Sequence, residues 1–420
     1  MNMLSIRRAV LVGACLLAFG SPLEAQHRAR MSRDLDEHLS RGSQNIDVIV
    51  RGTQAEVADL AARYNVTVRR YLRSGGAVLR LNAGQLDALR TDGGVDRLSS
   101  DADVRATTDV TRETIGADQV WAGAGTLRRA LTGAGIGVAV IDSGIDLRHA
   151  AVAGRVIKTV DFTGGDGIDI YGHGTHIASL IAGAAGAAAD TADYRGIAPG
   201  AHLINLRVLD GNGAGKASSV IDAIDWAIEN RRTFNIKVIN LSLGAPVLQS
   251  YRDDPLCEAA QRAVDAGIVV VAAAGNFGMT PDGKKIFGGI TAPGNSPSVI
   301  TVGALDTKGT AVRSDDTIAK FSSRGPTMYD HIVKPDLVAP GRNVIAGEAD
   351  GSTLAARYPE RHIADGYMSL SGSSMSAGVV SGAVALLLER RPNLRPVRPA
   401  TDQSYRSSRL ATRHGQAGRS

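Results

Sequence analysis

GVAVID, residues 137–142, is an apolar run that ends on a carboxylate, and the way the chain continues from it decides the fold. Apolar and helical segments alternate after it: HIASLIAG (176–183), AHLINLRVL (201–209), SVIDAIDWAIENRR (219–232), VINLSLG (238–244), EAAQRAVDAG (258–267), IVVVAAAGN (268–276) and SVITVGAL (298–305). Runs that are apolar at every position suit strands buried on both faces, and the amphipathic segments between them supply the covers. The stretch therefore predicts an α/β fold with a parallel sheet and helices on both faces. Ile221, Ile224 and Ile228 form one helical stripe and are read as core. The glycines of Gly133-Ala134-Gly135-Ile136-Gly137 precede the first strand. A dinucleotide-binding glycine run follows its strand, so this one is read as a turn.

Upstream, the pattern changes. IDVIVRG (46–52), TQAEVADLAARYN (53–65), VTVRRYL (66–72), GAVLRLN (76–82), AGQLDALRT (83–91) and VDRLSS (95–100) read as strand, helix, strand, strand, helix and strand. Two βαβ-like halves of this kind predict a small ferredoxin-like α+β sandwich. Val104 to Thr111 is polar and lacks apolar periodicity, which suits an exposed linker open to cleavage.

The ends and the composition set the compartment. Arg7 and Arg8 precede an apolar run from Ala9 to Phe19, followed by Gly20, Ser21, Pro22 and the small residue Ala25, the pattern of a secretory signal cleaved after residue 25. The run is far shorter than the ~20 residues needed to span a bilayer. Cys15 as a lipid-anchored cysteine is the weaker reading, since little apolar sequence precedes it. Cys15 would leave with the signal, so Cys257 has no intrachain partner and is read as a small core residue. With 44% hydrophobic and 21% charged residues, the 420-residue chain has a globular composition. A net charge of +5, partly from an Arg-rich tail and without a basic stripe interleaved with aromatics, does not point to nucleic acid.

Chemistry concentrates in short segments. VAVIDSG (138–144) delivers Asp142 to the carboxyl end of a strand, the edge at which open α/β sheets build sites. GHGTHIAS (172–179) offers His173 and His176 against glycines that open a helix. SGSSMSAG (371–378) opens a second helix with a choice of hydroxyls, Ser369, Ser371, Ser373, Ser374 and Ser376 among them. A nucleophile at a helix N-terminus has free backbone N–H groups and a favourable dipole beside a developing oxyanion.

The order Asp, His, Ser resembles the subtilisin-like serine proteases, the subtilases, over roughly Ile115 to Arg390. The resemblance implies a secreted serine endopeptidase that works through an acyl-enzyme, and it selects among the alternatives. Asp142 would orient and stabilise the imidazole of His173, the general base and then acid, and Ser374 would be the nucleophile. His176, three residues on, would make a structural hydrogen bond. Asn276, in AAAGN, matches the family's oxyanion-hole amide. Gly213-Ala214-Gly215 and Ser242-Leu243-Gly244 match the segments that hydrogen-bond an extended peptide between them. Ala273, Ala274 and Gly275 would wall the main specificity pocket. Such small walls favour a large apolar side chain over a basic one, with the floor expected in MTPDGKKIFGG (279–289).

The implied organisation is a signal at 1–25, a propeptide at 26–108 that assists folding and inhibits the site until cut, a catalytic domain at 109–390, and an atypical polar tail at 391–420. No cofactor is expected for the chemistry. Structural calcium is common in the family, and Asp190 and Asp193 lie near where a site would be without reproducing its loop pattern. The expected partners are protein or peptide substrates and the chain's own propeptide, with the mature chain a monomer off the membrane. Two departures stand out. Gly378 and Val379 occupy positions where the family has Pro and His, and the Arg-rich segment after Arg390 lacks the family's further elements and reads as disordered. The altered end carries the alternative reading, a subtilase-like peptide binder with impaired catalysis.

Overall fold

The strands expected between 137 and 305 all form, and they pair in parallel. The computed structural model describes residues 28–101, 103–106, 115–123, 129–184, 194–309, 313–364 and 366–396. From one edge, the main sheet runs Thr317–Ile318, Ile300–Asp306, Val269–Ala273, Ile236–Leu241, Gly137–Asp142, His202–Arg207 and Val156–Asp161, with Leu337–Pro340 also pairing with Ile300–Asp306. Only the short Thr317–Ile318 strand is antiparallel. Val138, Ala139, Val140 and Ile141 have no exposed surface, as expected of a central strand covered on both sides.

Helices His173–Ala182 and Ser373–Arg390 cover one face, and Ala217–Asn230 and Pro255–Asp265 the other. From Gly137–Asp142 the chain first builds strands to one side and then crosses to Ile236–Leu241 on the other. The strand order thus reverses at Gly137–Asp142, and the carboxyl edge beside such a switch point is where the sheet can hold a ligand.

Residues 46–100 fold as the expected β-α-β-β-α-β unit, its antiparallel strands ordered Arg97–Ser100, Ile46–Val50, Ala77–Leu81, Thr67–Tyr71. Its helices Gln54–Tyr64 and Ala83–Arg90 each start on a capping box, Thr53 with Glu56 and Asn82 with Gln85. Ahead of it, Arg30–Met31 adds a parallel edge strand against Arg97 and Leu98, followed by the helix Arg33–Arg41. Neither was anticipated.

This N-terminal domain docks on the two helices of the second face. Ile49, Leu72 and Val78 join the main core, and polar contacts ring them. The Asp101 carboxylate accepts the Ser218 N–H (2.9 Å) and hydroxyl (2.6 Å) at the start of Ala217–Asn230. Arg70 pairs with Asp222, Arg73 with Glu229 at 2.9 Å, and Arg30 with Asp253 at 2.7 Å. Asp222 is buried, so truncating Arg70 strands a desolvated charge. Arg70→Ala is expected to destabilise the docked N-terminal domain by about 1.4 kcal/mol or more, read as a lower melting temperature of the intact chain.

The polar stretch read as an exposed linker is in part something else. Asp103–Ala106 is a strand, antiparallel to Ala214–Lys216 on one side and to Leu243–Gly244 on the other. Backbone hydrogen bonds from two flanking strands hold it, so it needs no apolar alternation to be ordered. The signal at 1–25, the junction at 108/109 and the tail beyond residue 396 lie outside the described residues.

Candidate active site

Asp142 ends its strand as a buried carboxylate. Its Oδ1 accepts the Ser143 N–H at 2.7 Å and the His173 Nδ1–H at 2.7 Å. That second bond leaves Nε2 of His173 as the ring's proton-accepting atom. The close approach depends on glycine: a Cβ on Gly174 would lie 2.1 Å from the Gly144 carbonyl oxygen, inside the contact distance of any real side chain.

A residue the sequence reading did not single out ties these two turns together. Asp169 accepts the Ser143 hydroxyl at 2.8 Å, the Gly172 N–H at 2.7 Å and the Thr175 N–H at 2.7 Å, while Ser143 Oγ also takes the Gly174 N–H at 2.9 Å. One buried carboxylate thereby caps the helix that carries His173 and fixes the turn after Asp142. Burial pushes the Asp169 carboxyl above the usual carboxylate range, and the hydrogen bonds it accepts oppose that shift. Its place four residues before His173, just ahead of a helix start, was the signal available in the sequence.

Ser374 lies in the first turn of Ser373–Arg390, and this helix runs parallel to His173–Ala182. A Cβ on Gly378 would meet Leu180, Ile177 and Ile181, and one on Gly382 would meet Ile197 and the Ile181 carbonyl, so both glycines face the helix that carries His173. Gly378, where the family has proline, thus lies on the face that packs against the His173 helix. The Ser374 hydroxyl donates to the Ser242 carbonyl at 2.9 Å, and Ser242 Oγ donates to the Ser374 carbonyl at 2.7 Å.

Asn276 follows the strand Val269–Ala273. Its Oδ1 accepts the Ser373 N–H at 2.9 Å, and the Ser373 hydroxyl accepts the Gly275 N–H at 3.0 Å. The two bonds lock the amide with its Nδ2 donor free for an incoming oxygen, next to the Ser374 N–H at the helix start.

The segments expected to hold a peptide do flank an extended chain. Gly215 pairs with Val104, Ala214 and Gly244 with Arg105, and Leu243 with Ala106, while Gly213 forms the tight turn before Ala214. Ala273, Ala274 and Gly275 run alongside, and Thr291 stands between the two walls, beyond the stretch expected as floor.

His176 sits inside its helix, fully buried, with Nε2–H directed at the Met368 carbonyl at 3.3 Å. Burial, with the neighbouring His173 second, brings its pKa down to about 3. Its neutral form therefore stabilises the fold above the unfolded value of 6.5, and that contribution is lost as pH falls from 6.5 towards 3. His176→Gln is expected to make the acid limb of thermal stability shallower, by on the order of 4 kcal/mol at full effect. The pH profile of kcat/KM should keep its shape. Cys257 is buried, its thiol donates to Asn295 Oδ1 at 3.1 Å, and burial pushes its pKa well up, as for an inert core thiol.

Among the described residues, no group of three or more His, Cys, Asp or Glu is placed to hold a metal, and Asp190 and Asp193 lie outside them. No described helix is long and apolar enough to cross a membrane.

Comparison with known proteins agrees with this geometry. The model of the subtilase family matches residues 133–410. The chain is 40% identical over 273 residues to serine protease AprX of Bacillus subtilis (strain 168), covering 63% of this chain and 60% of AprX. It is 33% identical over 287 residues to subtilisin DY of Bacillus licheniformis, covering 68% of this chain and 86% of that protein. Among solved structures, sphericase superposes with a TM-score of 0.53 at 27% identity, covering 71% of this chain and 89% of sphericase. The match spans both parallel helices and every strand from Gly137 to Asp306, so the resemblance extends over the whole sheet, and the chain belongs to the subtilase family.

Proposed function

We propose that this chain is a secreted serine endopeptidase, made as a proprotein that cuts itself. The observation that carries the reading is the strand Asp103–Ala106, which lies where a substrate would, paired on both sides and leading towards Ser374. His173, oriented by Asp142, takes the Ser374 proton as Oγ attacks the scissile carbonyl. The oxygen of the tetrahedral intermediate is received by Asn276 Nδ2 and the Ser374 N–H. His173 then protonates the leaving amine, and water repeats the sequence on the acyl-enzyme. No cofactor enters these steps.

The N-terminal domain fits the role of inhibitor. Its sheet rests on two surface helices while its last described strand fills the cleft, so cleavage shortly after Ala106 would leave a product-like strand in place. The segment 1–25 is proposed as the export signal, and the mature chain as a monomer.

The test is to express residues 26–420, follow the mass by intact-protein spectrometry and assay casein hydrolysis on the same sample. The expected result is a loss of mass corresponding to about residues 26–108, the appearance of casein hydrolysis, and labelling once by phenylmethanesulfonyl fluoride. A chain that keeps its full mass, spares casein and takes no label would overturn the reading.

A further inference from the structure

Thr291 belongs to none of the motifs that carry the chemistry, yet it occupies the space between the two walls of the cleft. We propose that Thr291 sets the primary specificity, limiting the residue on the acyl side of the scissile bond to small side chains and favouring those that carry a hydroxyl. The proposal rests on the peptidase reading above and names its substrate class.

Glycines on the two walls measure how far Thr291 intrudes. A Cβ on Gly244 would lie 2.4 Å from Thr291 Oγ1 and 2.7 Å from its Cβ. On the opposite wall, a Cβ on Gly275 would lie 2.9 Å from Thr291 Cγ2 and 3.3 Å from Oγ1. The side chain thus touches both Ser242–Gly244 and Ala273–Gly275, and fills depth that small walls alone would leave to a large ring.

Thr291 is also held fast. Its N–H donates to the Ala274 carbonyl at 3.1 Å, its carbonyl accepts the Asn295 N–H at 3.0 Å, and the adjacent Ala292 exchanges two backbone bonds of 2.9 Å with Ala245. The segment is stitched to both walls, so an entering side chain cannot push it aside without breaking those bonds.

The hydroxyl supplies the second half of the preference. Thr291 is 7% exposed, and its buried Oγ1 has no hydrogen-bond partner. A buried polar atom left unpaired is costly, and a ligand hydroxyl that reaches it removes the cost. Leu243 pairs with Ala106, and the wall residue before Leu243 is Ser242, whose carbonyl holds the Ser374 hydroxyl. In the sequence, the residue after Ala106 is Thr107, itself small and hydroxyl-bearing.

The experiment uses the processed enzyme and tetrapeptide p-nitroanilides that differ only in the last residue: Ala, Val, Thr, Leu or Phe. Wild type is expected to cleave the Ala and Thr substrates with kcat/KM at least about 10-fold above Phe, in the range by which pockets discriminate on size. Thr291→Gly should reverse that order. Thr291→Val, which keeps the volume and so retains a readout if the glycine variant does not fold, should lower Thr relative to Val by about 10-fold and leave Ala over Phe unchanged. Wild type preferring Phe, or both variants keeping the wild-type order, would overturn the role of Thr291 alone, provided the enzyme is labelled by phenylmethanesulfonyl fluoride and cleaves some member of the series. Failure to label or to cleave any member overturns the peptidase reading, and this proposal with it.

Discussion

Ser374→Ala is expected to leave the chain uncut after Ala106 and to remove casein hydrolysis, with kcat reduced by about 10⁶, the scale on which loss of the nucleophile acts in a subtilisin. The effect is large because nucleophile and base act as a unit: the Asp142–His173 bond at 2.7 Å prepares a proton acceptor that then has nothing to accept from. The substitution should cost little stability, since the hydroxyl makes one bond, to the Ser242 carbonyl at 2.9 Å, and Ser242 retains its own bond to the backbone carbonyl of the substituted residue. Intact mass, a casein assay and a thermal melt on one preparation check all three statements. A Ser374→Ala chain that matures and digests casein would place the nucleophile elsewhere. One that melts many degrees below wild type would show that the loss arises from unfolding.

Asn276→Ala is expected to lower kcat by about 10²–10³ with KM nearly unchanged, because its Nδ2 would meet only the oxygen that becomes charged in the transition state. In the ground state the same amide has a structural task, receiving the Ser373 N–H at 2.9 Å. Asn276→Asp separates the two. It keeps the acceptor and should preserve the placement of Ser373, yet it puts a negative charge where the oxyanion forms and should be at least as inactive as alanine. Steady-state kinetics on a p-nitroanilide substrate decide the matter: a rise in KM matching the loss in kcat would assign Asn276 to substrate binding.

The uneven legibility of this chain has a physical basis. The central strands and their covering helices could be read because burial on two faces demands uninterrupted apolar runs, and GVAVID or IVVVAAA admit few other uses. Asp142, His173 and Ser374 were singled out for a different reason: local pattern placed a carboxylate, two histidines and several serines beside glycines at element ends, and the resemblance to the subtilases chose among them. The Arg30–Met31 strand and the Arg33–Arg41 helix escaped notice because a two-residue strand has no period, and the helix buries little beyond Leu35.

The sequence by itself determined the parallel sheet and the ferredoxin-like unit before it. Those are properties of local pattern, because strand and helix periods and the turns at their ends are written in consecutive residues. Only the tertiary structure decided that Asp169 bridges the turns of Asp142 and His173, that Asp103–Ala106 lies as a strand in the cleft, and that Thr291 stands between the cleft walls. Each of these depends on contacts between segments far apart in the chain, made through backbone groups that every residue carries or through a single short side chain, and neither leaves a periodic mark on the sequence.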